Sequence, residues 1–87
     1  MKNFDETRFF SGDLYESEDI NNILREVVTT IESKGYNPIH QIMGYIKTGD
    51  PVYIPRDNHC REKIRLIEID DILEYLLQFF IQELKWY

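Results

Sequence analysis

Eighty-seven residues with a formal charge of −6 and one cysteine make a single small domain and exclude several protein classes at once. Cys60 has no partner for an internal disulfide, so nothing points to secretion, and the acidic surplus repels phosphate backbones and weakens any nucleic-acid reading. The longest mainly apolar stretch, Ile72 to Leu84, is interrupted by Glu74, Gln78, Gln82 and Glu83 and cannot span a bilayer, while the acidic N-terminus MKNFDETRFF suits neither a signal nor a transit peptide; a cytoplasmic protein is expected.

In chain order, residues 1–16 show no sustained period, hold a turn at Ser11-Gly12-Asp13, and predict a flexible N-terminal tail. Residues 1–20 carry two basic and six acidic side chains, a local charge of −4. A clean helix follows, with Ile20, Ile23, Leu24, Val27 and Ile31 on one face. Ser17 or Asp19 can cap its start, and Gly35 sits just past its end, where a left-handed backbone needs no Cβ. Asn37 is a good N-cap and Pro38 fits the first position of a second helix, along which Ile39, Ile42, Met43 and Ile46 repeat until Gly49. Gly44 inside that run costs about 1 kcal/mol against alanine and points either to the close approach of another helix or to a plain surface position.

Asp50-Pro51 opens a turn, and Val52-Tyr53-Ile54-Pro55 reads as an extended arm, because the residue before a proline avoids the helical region. Asp57 or Asn58 can cap a third helix through about Leu66, with Cys60, Ile64 and Ile67 as its apolar side. Asp70 can cap a fourth, ending near Glu83, unless Glu68 to Asp71 is helical and fuses the two. Its apolar residues (Ile69, Ile72, Leu73, Leu76 and Phe80, widened by Leu77, Ile81, Leu84 and Trp86) cover too much of the circumference for one packed face. The expected cover is a second copy of the protein, with Leu76, Leu77, Phe80 and Ile81 as interface candidates. No alternation of period two persists, so the expected class is all-α: a bundle of about four to five helices, with residues 17–87 as one helical domain, forming a homodimer.

Chemistry is sparse. His40 and His59 are the only histidines, and the adjacent His59-Cys60 suits neither a chelating helical pair nor zinc spacing. A Cys–His nucleophile assembled across the fold would need a cleft joining Cys60 to a histidine; a buried apolar thiol is the better reading. No enzyme activity, metal or cofactor is expected. Lys47, Arg56, Arg61, Lys63 and Arg65 make segment 47–65 basic and offer an alternative, a nucleic-acid-binding adaptor, although the joint between the two helices is longer than a helix-turn-helix allows. Asn37, Gln41, Asp50 and Arg56 are possible partner-binding residues or local caps and turn anchors. Thr7, within Asp5-Glu6-Thr7-Arg8, is a hydroxyl that an extended tail can present to a kinase; Ser11, Ser17, Thr29, Thr30 and Thr48 are other possible acceptors.

The stretch GYNPIHQIMGYIKTGDPVYIPR closely resembles the G-Y-N-P-I-x-Q-I-x-G-Y-x-x-x-G-D-P-x-Y-I-P-R core of the IreB family, small regulatory phosphoproteins of low-GC Gram-positive bacteria. The likeness continues through Arg61, Ile64, Arg65, Glu68, Asp70 and Glu74, and the D-x-T near the start matches as well. The resemblance implies an all-helical homodimer with a flexible N-terminus. It also implies a substrate of a membrane serine/threonine kinase whose extracellular PASTA repeats sense the cell wall, opposed by a cognate phosphatase. It implies modulation of cell-wall stress or cephalosporin resistance through an unknown downstream protein. The family's threonine within D-E-T falls on Thr7. Its second acceptor falls on Phe4, so one site carries over. His59 and Cys60 replace residues that are more often acidic and alanine, which marks a divergent member.

Overall fold

The computed structural model describes residues 17–85; the expected N-terminal tail lies outside them. Four α-helices form this part: α1 (Ser17–Ser33), α2 (Pro38–Thr48), α3 (Cys60–Arg65) and α4 (Ile69–Leu84). Two 3₁₀ turns, Pro51–Tyr53 and Asp57–His59, lie between α2 and α3. Among the described residues there is no strand, as the absence of period-two patterning predicts.

Helix α1 is the central post. Ile20, Leu24, Val27 and Ile31 are buried, and Ile23 packs at the edge of the same core. Ser17 is already helical, so Asp19 sits in the first turn and not at the N-cap; there its charge suits the exposed N–H groups of the helix start. The helix stops at Gly35, whose φ of 87° is left-handed. The Gly35 N–H donates to Glu32 O at 2.9 Å and the Tyr36 N–H to Ile31 O at 3.2 Å, the paired closure of a Schellman end.

Helix α2 begins as its sequence predicts, with Asn37 Oδ1 accepting from the His40 N–H at 3.1 Å and Pro38 in the first turn. It ends at Gly49, φ 72°, whose N–H donates to Tyr45 O at 2.6 Å. Its buried residue, however, is Tyr45. The stripe of Ile39, Ile42, Met43 and Ile46 supplies no fully buried residue: Ile42 packs at the edge of the core, Ile46 is half-buried, and Ile39 and Met43 are exposed. Periodicity identifies an apolar face but not which neighbour covers it.

Three boundaries shift from the sequence reading. The arm at Val52–Pro55 is only partly extended, because Pro51–Tyr53 closes a 3₁₀ turn with Asp50 as its cap; Ile54, before Pro55, is extended at φ −112°, ψ 136°. Helix α3 starts at Cys60, since Asp57–His59 forms a 3₁₀ turn and both Asn58 and His59 take left-handed angles, φ 57° and 58°. Helix α4 has Glu68, not Asp70, at its N-cap position, with no side-chain cap bond, and the extended Glu68 (ψ 148°) keeps it separate from α3.

Ile54, Cys60, Ile64, Ile67 and Ile72 complete the core around α1. α3 packs mainly on α1, and Lys63 Nζ pairs with Glu26 Oε1 at 2.8 Å along that seam. α4 is attached through its first half: Ile72 is fully buried, and Asn21 on α1 donates to the Tyr75 hydroxyl.

Candidate functional site

The connector between α2 and α3 is strapped from both sides. Gln41 Nε2 on α2 donates to Tyr53 O at 3.1 Å, and Arg61 Nε on α3 donates to the next carbonyl, Ile54 O, at 2.6 Å. Each bond satisfies a carbonyl that the turn leaves without a ladder partner. Between the straps, the Ile54 side chain enters the core at 1% exposure, and the Tyr53 ring lies over Gly44. Gly44 therefore admits an aromatic ring from the connector, and not a neighbouring helix.

This arrangement opens a cleft of about 360 Å³ between the end of α1, the connector and α3. Lys34, Gln41, Arg56, Asp57 and Arg61 supply its polar groups, and Tyr36 and Tyr53 part of its walls. Lys34 Nζ meets Asp57 Oδ2 at 3.1 Å; the ammonium hydrogen bond holds the Asp57 carboxyl below the ordinary carboxylate range. Arg61 is half-buried and Arg56 exposed. Beneath the rim, Asn58 Nδ2 donates to Thr30 Oγ1 at 3.1 Å, which anchors the left-handed pair to α1.

The four polar candidates divide. Gln41 and Arg56 reach the cleft. Asn37 caps α2, and Asp50 Oδ1 accepts from the Val52 N–H at 3.0 Å, so both perform local backbone roles. Lys34 carries no sequence signal, and Tyr36 and Tyr53 stand out only as fixed positions of the long motif; fold-back of the connector assembles all three. Arg61 stands out in the sequence as one of a run of basic residues and as a position where the family likeness continues.

That basic run divides, with Arg56 and Arg61 sharing the cleft and Lys63 and Lys47 placed away from it. Lys63 is paired with Glu26 across the α1–α3 seam, Arg61 is strapped to Ile54 O, and Lys47 sits in the last turn of α2. Cys60 is fully buried, its thiol facing Glu26 O at 4.0 Å, while His40 and His59 are exposed. A thiol at 0% exposure cannot meet a substrate without opening the core. Among the described residues, no group of three or more His, Cys, Asp or Glu is placed to hold a metal ion.

A second surface is apolar. Val28 of α1, Ile39, Ile42, Met43 and Ile46 of α2, and Leu76 of α4 line a groove of about 280 Å³. Leu76 connects it to Leu77, Phe80 and Ile81, all exposed along α4. The two halves of the apolar pattern that the core does not use thus meet on one surface. Thr7 lies outside the described residues, and none of their helices is long and apolar enough to cross a membrane.

Fold and surfaces together define a small all-helical protein whose distinctive features are a basic cleft and an uncovered apolar face. The profile of the IreB regulatory phosphoprotein family matches residues 5–82. The chain belongs to that family.

Proposed function

We propose that this protein is a non-enzymatic regulator that takes phosphate on Thr7 from a serine/threonine kinase of the PASTA-repeat type and loses it to a cognate phosphatase. It works in the cytoplasm as a homodimer and, through a downstream protein, modulates the response to cell-wall stress or cephalosporins. Membership of a regulatory phosphoprotein family carries the reading.

The chemistry of the remaining threonines supports Thr7 as the acceptor. Thr29 Oγ1 donates to Arg25 O at 3.0 Å, and Thr48 Oγ1 to Gly44 O at 2.7 Å, each within its own helix. Thr30 is 4% exposed and accepts from Asn58. A kinase cleft takes its substrate extended, so each of these three would require a helix to open first. The exposed Leu76, Leu77, Phe80 and Ile81 favour a second copy as the cover for α4. Gln41 and Arg56, which both line the cleft, are the candidates for contact with the downstream protein.

Intact-mass analysis and peptide mapping after incubation with the kinase test the acceptor. A single phosphate on Thr7, absent from Thr7→Ala, is expected. An unmodified Thr7 under conditions that phosphorylate a control substrate overturns the assignment.

A further inference from the structure

Three cations, Lys34, Arg56 and Arg61, line the cleft at the end of α1 against one carboxylate, Asp57. The cleft therefore holds a surplus of two positive charges in a chain whose total is −6. Arg61 is oriented in advance: its Nε bond to Ile54 O fixes the guanidinium plane and leaves the four terminal N–H groups for another acceptor. Gln41 likewise gives one amide hydrogen to Tyr53 O and retains the other. A planar fork held in place, a second guanidinium and an ammonium form a receptor suited to a tetrahedral oxyanion.

We propose that this cleft is a phosphate-binding site whose ligand is the phosphorylated side chain of Thr7 from the protein's own N-terminal segment. The proposal rests on the reading of Thr7 as the acceptor. Charge selects this occupant, since phosphothreonine brings about −1.5 to −2 at neutral pH and three strong acceptor oxygens, matching the surplus in the cleft. Unmodified threonine has no charge with which to displace water from two guanidinium groups, so docking depends on the modification.

Reach also allows it. Thr7 lies ten residues before Ser17, and extended chain covers roughly 33–36 Å over that length. The 17 residues of α1 rise roughly 25 Å in all. The segment is long enough to run back along α1 and place its phosphate at the far end, where Lys34 stands. Docked there, it covers Gln41 and Arg56, the residues available to a downstream protein, so phosphate and partner compete for one surface.

The full-length chain carrying phosphothreonine at position 7, installed during translation so that kinase specificity plays no part, provides the test. In a ³¹P NMR titration, the second pKa of the phosphate is expected to fall by about one pH unit relative to a synthetic phosphopeptide of residues 1–16, as neighbouring cations favour the dianion. Arg56→Gln and the double variant Arg56→Gln/Arg61→Gln are expected to reverse the fall, partly and fully. Arg56 is exposed and belongs to neither strap, so its single variant reports on phosphate contact without loosening the connector. A phosphate that titrates as in the free peptide overturns the proposal and leaves Thr7 phosphorylation standing. A lowered pKa that persists in both variants overturns the assignment to this cleft. Kinase failure at Thr7 would instead remove the functional reading while the titration result held.

Discussion

A Cβ at Gly44 would stand 2.5 Å from Cδ1 and 2.9 Å from Cγ of Tyr53. The ring cannot swing clear, because the obstructed atoms lie near its root and the Tyr53 carbonyl is held by Gln41. Two effects of Gly44→Ala oppose each other. Alanine favours the helix interior by about 1 kcal/mol, whereas overpacking a fixed contact costs about 1–3 kcal/mol. The clash outweighs the helix gain, and Gly44→Ala is expected to destabilise the fold by up to about 2 kcal/mol in urea unfolding. With Tyr53→Ala as background, the same substitution becomes neutral or stabilising, so the double-mutant cycle shows strong coupling. Equal losses in both backgrounds would place the strain elsewhere. An interior helical glycine was legible in the sequence as a sign of close approach. The identity of its neighbour was not, because Tyr53 reaches it through a turn that only tertiary packing fixes.

At the level of elements, the connector binds α1, α2 and α3 through side chains that regular secondary structure leaves over. Lys34, at the end of α1, holds Asp57 at the start of the second 3₁₀ turn. The ammonium hydrogen bond lowers the Asp57 pKa from its ordinary value of 3.8. A depressed carboxyl binds its proton less readily when folded than when unfolded, so its contribution to stability is present above about pH 4 and is lost as pH falls through the folded value. Lys34→Gln is expected to raise the Asp57 pKa toward the ordinary value in a carboxyl ¹³C NMR titration. An unchanged or lower value would show that other groups set the shift. Both side chains are nearly half exposed, so little folding stability at neutral pH is expected to depend on the pair. Caps made these elements readable: Asn37, Pro38, Gly35 and Gly49 act locally, within one turn of their own position. The starts of α3 and α4 were less legible: the capping candidates Asp57, Asn58 and Asp70 are bypassed, and His59 and Glu68 stand at the N-cap positions without a side-chain cap bond. The demand of the core for Cys60, Ile64 and Ile72 therefore sets where these helices begin.

For the whole molecule, α4 is the element left open. Its first half is anchored by Ile72 and Tyr75, whereas Leu76, Leu77, Phe80 and Ile81 are 42%, 62%, 59% and 46% exposed. Together with the groove on α2 they form an apolar surface of the kind a soluble chain normally covers. Sedimentation equilibrium is expected to give a dimer at micromolar concentration. Each of Leu77→Lys and Phe80→Lys is expected to weaken association by about 2 kcal/mol or more, the loss typical of a central anchor, or roughly thirtyfold in Kd. A wild-type chain that sediments as a stable single subunit would rule out self-association as the cover.

What the sequence determined by itself was the helical class, the extent of α1 and α2, and the family, because caps, period and a long fixed motif are local properties of the chain. Tertiary structure alone decided that Tyr45 enters the core while Ile39 and Met43 of the apolar stripe stay exposed, and that Lys34 joins Arg56 and Arg61 in one cleft. The reason is physical. A helix can be read from residues three and four apart, but the face that becomes buried depends on where distant segments return, and here the return is set by Ile54 entering the core between two carbonyl straps.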